Sequence, residues 1–516
     1  MAHRTKKVIS IFLIIIVGSV FFLQYKFKSE VIEVINTKLP STIALKYSKI
    51  NTSILTGTVE LNRISAKLLN SEKTVISILK ADNIKISGFS LWQFIFNKTI
   101  AVDDLIFENP NLHYYKSPQK QTQSKDSTAN QKFDKTITID KIMFINGTLK
   151  TYENNAENLV SSIDSINFTL NELSTNSKKL KNKTPFNYKD YQLNAKRLFF
   201  NMSKFEVLKV ENLNLKNHRL SLTNLFITPK FTKEELTTKI TKERDFIELH
   251  IPEVILSEFD VDFKNKKLYV TSDTSKIIKP NLIVYRDKRV ADDNSIKKMY
   301  SKMLRDLKFH LAISTMEINQ GYINYSERIE DTNEAGEIFF DKVNAHITNL
   351  SNTYTKGEKM KILINSHFMG KAPMGLDISF DVNNAQNNFL VSGQFKNLNT
   401  KIVNSFFESN LNAKSTGEIE QLYFTFKGTD FNSTGDFKMK YEDFRFEILN
   451  KKDNVNKFLT TIGNLFVNDG SKTDEDGYRH GTIKVDRNQT KSFFNYLWLN
   501  VQDGLISTLT GNGEKK

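Results

Sequence analysis

The sequence predicts a mainly β protein: an N-terminal transmembrane helix, then an elongated, repeated antiparallel β-groove sheet with a few short amphipathic helices. Three observations predict it. An apolar run lies near the N-terminus, period-two alternation fills most of the remaining chain, and a spaced pattern of apolar residues occurs twice.

The chain opens with the basic stretch His3-Arg4-Thr5-Lys6-Lys7, and Val8 to Leu23 then contains almost nothing polar. At about 1.5 Å per residue this run spans roughly 24 Å, and Tyr25 and Phe27 extend it into the interface. Ile11, Phe12, Leu13, Ile14, Ile15, Ile16, Phe21, Phe22 and Leu23 are its candidate lipid-facing residues. The positive flank is expected to stay in the cytoplasm and the body to be translocated. A cleavable signal peptide is the competing reading, but Gln24-Tyr25-Lys26-Phe27-Lys28 lacks the small residues a cleavage site needs. The absence of Cys excludes disulfides, a lipid-modified Cys anchor, zinc-thiolate sites and a Cys nucleophile. It suits a bacterial envelope, and the expected location is the inner membrane, single pass, with the body in the periplasm.

Net charge is +15, mostly from Lys. Attraction to anionic headgroups is one reading of it. A coding bias toward Lys, Asn and Ile is the other, because the charges are interspersed and form no dense basic block. The expected partners are membrane phospholipids and envelope proteins, with no nucleic acid.

Strand signals dominate the body. Thr136 to Ile139 alternates, Phe424 and Phe426 flank Thr425, and Phe437, Met439 and Tyr441 share one face opposite Lys438 and Lys440. Helical spacing occurs over Ser29 to Leu39, Asn294 to Leu307, Asn454 to Phe466, and 490–509. Residues 117–132 are polar and of low complexity, and are expected to be a disordered loop. The domain reading is a tail at 1–7, an anchor at 8–25, β-groove units at 26–175 and 176–350, and a C-terminal β unit at 351–516.

The second unit is read as a repeat of the first. Ile84-Lys85-Ile86-Ser87-Gly88-Phe89 then Pro110-Asn111-Leu112 is matched by Val254-Ile255-Leu256-Ser257-Glu258-Phe259 then Pro280-Asn281-Leu282. Ile142, Phe144 and Gly147 are likewise matched by Met316, Ile318 and Gly321, so 80–173 and 250–350 pair as copies. A sheet with few helices to cover it either curls on itself or holds something apolar that is not protein. The candidate lipid-groove residues are Ile84, Ile86, Phe89, Leu112, Ile142, Phe144, Val254, Leu256, Phe259, Leu282, Met316, Ile318, Phe424 and Phe426.

The basic start and anchor, the Asn51 to Leu61 segment, Ile84 to Phe94, Leu105 to Leu112, and the ending from Gly481 to Trp498 together resemble the AsmA-like family of bacterial envelope proteins. That family includes TamB and YhdP and is related to chorein-type bridge-like lipid-transfer proteins. The resemblance implies an inner-membrane protein that binds or conducts lipids along an apolar β-groove and contributes to outer-membrane biogenesis. A structural or assembly factor docking other envelope proteins is the alternative.

No nucleotide, hydrolase or metalloprotease motif is present, and the eight His residues are scattered without ligand spacing. No catalytic residue, metal ligand or cofactor is assigned, and the protein is not expected to be an enzyme. Asp469 to Asp476 lacks the spacing of a calcium loop. Trp92 and Trp498 are read as packing or interface residues, with membrane contact as the alternative.

Overall fold

The computed structural model describes residues 22–33, 35–37, 39–70, 72–116, 136–153, 158–179, 185–264, 267–331, 334–353, 357–449 and 473–511. Twenty-three strands among the described residues make the fold mainly β. The chain divides into two compact units, Met1–Met202 with Lys209–Asn217, and Ser203–Leu208 with His218–Lys516.

In the first unit, residues 22–33 form a helix, α1, which continues at 35–37. Helix before Ser29 agrees with the expectation that the Ser29 to Leu39 stretch continues from the preceding apolar segment. Strands β1 (Ile43–Lys46) and β2 (Lys49–Ser53) both pair antiparallel with β3 (Thr58–Leu69), which pairs with β4 (Val75–Ser87). A short helix, α2 (Leu91–Phe96), follows, with Ser90 as its N-cap. Next come β5 (Thr99–Glu108) and β6 (Asn111–Lys116), which lie end to end along β4. They are two halves of one strand, interrupted where Asn109 takes φ 49° before Pro110. Proline has no amide to donate, so the ladder has to break there. Then β7 (Thr136–Glu153) pairs with β8 (Asn158–Thr175), and β8 with β9 (Asp190–Asn201). Beside β9 lies β10 (Glu206–Lys216).

The second unit begins with β11 (Arg219–Pro229) and, after helix α3 (Lys233–Lys239), β12 (Asp245–Ser257). The hairpin β13 (Asp260–Lys264) to β14 (Lys267–Ile278) follows, and β14 and β15 (Asn281–Asp287) again lie end to end, now along β12. After helix α4 (Tyr300–Arg305), an antiparallel run begins. It comprises β16 (His310–Arg328), β17 (Gly336–Ser351), β18 (Met360–Phe368), β19 (Ala372–Phe380) and β20 (Phe389–Asn399). A 3-10 turn and helix α5 (Asn404–Leu411) precede β21 (Ala413–Gly428), β22 (Asn432–Ile448) and β23 (Arg479–Asp486). Helix α6 (Phe493–Thr510) ends the described chain.

The expected antiparallel pairing dominates the described sheet, with parallel pairing at two places. The split strand β5/β6 pairs parallel with β7, and β14/β15 pairs parallel with β16. In both cases the next strand starts again at the same end, and alternation alone carries no sign of strand direction.

The same register recurs between the two units. Asn83 faces Glu108 and Lys80 faces Asn111; 170 residues on, Glu253 faces Ile278 and His250 faces Asn281. A Cβ built on Gly147 would lie 3.2 Å from the Pro110 ring, and one on Gly321 would lie 3.2 Å from the Pro280 ring. Left-handed residues match as well: Asn109 with Lys279, Asn146 with Gln320, and Ser165 with Lys342. The Asn146 amide donates to Asn167 Oδ1 and that of Gln320 to Asn344 Oδ1, at 3.1 and 3.0 Å.

The deepest core belongs to the second unit. Phe380, Val391, Phe426, Phe437, Met439 and Ile483 are nearly or fully buried there under α4 and α6. The helix expected over Asn294 to Leu307 is shorter, because residues before it are pinned as a strap. The Lys297 amide donates to the Gln489 carbonyl at 2.8 Å, and Lys297 Nζ pairs with Asp293. The helix expected over Thr490 to Leu509 is α6, capped by Ser492 and ended by Gly511 at φ 74°. Residues 11–16 and 21 of the expected anchor, the loop at 117–132 and the helix at Asn454 to Phe466 lie outside the described residues. Among the described residues no helix is long and apolar enough to cross a membrane.

Candidate functional site: an apolar sheet face

Alternation places every second side chain of a strand on one face, and register decides which side chains line up across strands. In the first unit two apolar rows result. Leu61, Ile84, Phe107, Phe144, Phe168 and Leu193 are successive partners from β3 to β9. Two residues along, Val59, Ile86, Leu105, Ile142, Leu170 and Tyr191 form the second row. Ring centroids of Phe107 and Phe144 are 4.8 Å apart, and those of Phe144 and Phe168 5.7 Å. Cross-strand aromatic contacts of this kind add to strand pairing. Of these residues only Leu170 is buried, and the others are half-buried.

Past the interrupted strand the alternation changes phase. Ile145 and Asn146 are both exposed and Gly147 is buried, because a left-handed residue rotates the chain after it. A further apolar row follows, with Leu79, Leu112, Leu149 and Ile163 as successive partners. On the outer side Asn146 Nδ2 donates to Asn109 Oδ1 and Asn109 Nδ2 to Asp82 Oδ2, both at 2.8 Å. These exposed amides tie the kinks of neighbouring strands together.

The second unit carries equivalent rows. Leu222, Val254, Ile277, Ile318 and Ala345 are successive partners, and so are Leu220, Leu256, Ser275, Met316 and Ile347. The rows run on to Phe424 and Phe437, and to Ile378, Val391, Phe426 and Ile483. There they are covered. Phe493 of α6 packs its ring 5.3 to 5.5 Å from those of Tyr300, Phe380 and Phe389. The α6 backbone rests directly on the sheet at Gly481, where a Cβ would lie 2.6 Å from the Gly504 carbonyl oxygen. Ser433 Oγ donates to the buried Asn500 Oδ1 at 2.7 Å. The outer edge of β23 is closed too, with the Thr482 and Lys484 amides donating to Ser507 Oγ and Asp503 Oδ2.

Charged groups hold α6 at its start. The Arg487 side chain, 1 % exposed, pairs with Asp430. Lys491 and Lys288 both donate to Glu243, at 3.0 and 2.7 Å. Burial opposes ionisation of Glu243, but the two lysine hydrogen bonds outweigh it and hold its carboxyl below the ordinary carboxylate value. Nearby, hydrogen bonds from Arg289 bring Asp287 down to about 2 against the cost of burial.

Of the groove residues read from sequence, Ile84, Ile86, Ile142 and Phe144 fall in the two rows of the first unit. Val254, Leu256, Met316 and Ile318 fall in the half-buried part of the second unit's rows, and Phe424 and Phe426 in the covered part. Leu112 and Leu282 belong to the rows beyond the kink. Phe89 and Phe259 are in none of them. Their strands end at Ser87 and Ser257, and the chain turns away at Gly88 (φ 69°) and Glu258 (φ 48°). Phe107, Phe168, Leu170 and Leu193 were missed. The alternations Leu105-x-Phe107 and Phe168-x-Leu170 were visible, but their alignment depends on register.

Among the described residues no group of His, Asp and Glu is arranged to hold a metal ion. A shallow depression lined by Lys233, Tyr285, Arg328, Asp331 and Glu334 mixes both charge signs, and Asp331 is already paired with Arg289. No protein-family model matches the chain, and no curated protein matches it.

Proposed function

We propose that the protein is a membrane-anchored, AsmA-like envelope protein that binds phospholipid acyl chains along the apolar rows of its sheet. The observation that carries this reading is the pair of aligned, half-buried rows in the first unit. Strands in a sheet are about 4.8 Å apart, so a row from β3 to β9 runs roughly 24 Å. One leaflet of a bilayer's hydrocarbon core is about 15 Å thick, so an acyl chain fits along the row. Each methylene withdrawn from water on such a face contributes about 0.8 kcal/mol. The apolar run at Val8 to Leu23 supports an anchor in the bacterial inner membrane with the body in the periplasm.

Native mass spectrometry of the full chain released from detergent micelles tests the reading. Phospholipid adducts are expected on the parent protein and lost in Phe144→Glu, which puts a charge in the middle of a row. Identical adducts on both proteins would contradict it.

A further inference from the structure

The first unit carries a second apolar surface, separate from the rows. Helix α2 exposes Trp92 by 69 %, Phe96 by 62 % and Phe94 by 37 %, although the Trp92 and Phe96 rings touch, tilted by 40° with centroids 4.1 Å apart. The turn between β2 and β3 exposes Leu55 by 80 %. These two segments are joined, since the Gly88 and Phe89 amides donate to the Thr56 and Gly57 carbonyls at 3.2 and 3.1 Å. Gly57 (φ 57°) permits that approach, because a Cβ there would lie 2.4 Å from the Phe89 carbonyl oxygen.

The same turn holds α1. Gln24 receives the Ile54 amide on Oε1 at 2.7 Å and donates through Nε2 to Thr52 Oγ1 at 2.9 Å. A side chain that occupies both a donor and an acceptor on an edge strand fixes the helix against it. Phe22, Leu23 and Tyr25, all exposed, flank Gln24, and the first two end the apolar run that begins at Val8. Lys26, Lys28 and Lys98 are exposed around this end of the unit.

We infer that Leu55, Trp92, Phe94 and Phe96 form a bilayer-docking surface, inserted at the headgroup–acyl boundary beside α1. The apolar run Val8 to Leu23 leads directly into Gln24, the residue that clamps this turn, so the bilayer is the occupant continuous with the patch. Trp and Phe with flanking lysines are the composition that settles at the interface of an anionic bilayer. Docking would hold the first strands of the sheet against the lipid surface. The inference does not depend on whether the rows carry lipid.

Trp92 and Trp498 are the two tryptophans of the chain, so Trp498→Phe leaves Trp92 as the sole reporter. The full-length variant is reconstituted into vesicles of phosphatidylcholine and phosphatidylglycerol, with and without bromine on the acyl chains. The expected result is a blue-shifted Trp92 emission and about a twofold loss of intensity with brominated lipid, the behaviour of an interfacial indole. Emission like that of indole in water, quenched by iodide and not by brominated lipid, would overturn the inference. The measurement repeated with Ile142→Gln, which breaks a row and leaves the patch, separates the two readings. Quenching is expected to persist. Its loss would place the quencher on the sheet face and overturn docking.

Discussion

The two units carry the same kind of apolar face with different cover. In the first, rings such as Phe107 and Phe144 touch across strands and stay half-buried. In the second, the matching rows end beneath α4 and α6, where Phe437 and Phe426 are each 1 % exposed. Both faces come from the same alternation and register, so the difference is not in the strands. It lies in a helix whose Gly504 meets a sheet glycine, and whose start is held by ion pairs. A face covered by its own chain is a core, and a face that stays half-buried among the described residues has apolar surface to offer.

The largest expected effect breaks the covered side. Phe437→Ala removes a buried ring and is expected to cost about 3–5 kcal/mol in denaturant unfolding. Phe144→Ala, at the equivalent half-buried face, is expected to cost about 1 kcal/mol. Equal losses would remove the distinction between the units. Gly504→Leu comes next. A Cβ there would lie 2.5 Å from the Phe437 ring, so the helix has to lift, at about 1–3 kcal/mol. Faster hydrogen exchange in α6, with no change in the strands of the first unit, is the signature to look for.

A third pair of variants tests what the units share. Gly147→Val and Gly321→Val meet Pro110 and Pro280 at the same 3.2 Å. Each is expected to destabilise by about 1–2 kcal/mol, and by similar amounts in thermal unfolding. A large disparity would mean that the matched registers do not carry matched packing.

The smallest effect is a pH dependence confined to the α6 latch. Because Glu243 is held below its ordinary 4.5, the unfolded chain binds its proton first as pH falls. Its contribution is therefore present above pH 4.5 and is lost as pH drops through the lower folded value. The melting difference between the parent and Glu243→Gln is expected to be constant near neutrality and to shrink in acid. A difference that grows in acid would reverse the sign of the argument.

Much of this fold was legible in the sequence. Phe424 and Phe426, or Phe437 and Met439, alternate because one face is buried, and that face is the core. The matched spacing of Pro110 and Pro280 was legible, and both prolines interrupt strands and meet the same neighbours at Gly147 and Gly321. Parallel pairing at β7 and β16 was not legible, since a strand's own pattern is the same in either direction. The phase change at Asn146 was hidden too, because a left-handed asparagine looks like any polar strand position. Phe89 and Phe259 fall outside the rows because each lies three residues beyond the last aligned side chain, Ile86 or Leu256, an odd step that leaves the face, and the chain turns at Gly88 and Glu258.

The central claim is that one side of the first unit's sheet meets lipid and the other does not. Ile142 and Lys141 are adjacent on β7 and alternate across it, Ile142 half-buried in a row and Lys141 exposed. A photoreactive amino acid placed at each position in turn, in the full chain in intact cells, compares the two faces directly. The account predicts a phospholipid adduct at position 142 and none at 141. Adducts at both positions, or protein adducts alone at 142, would contradict it.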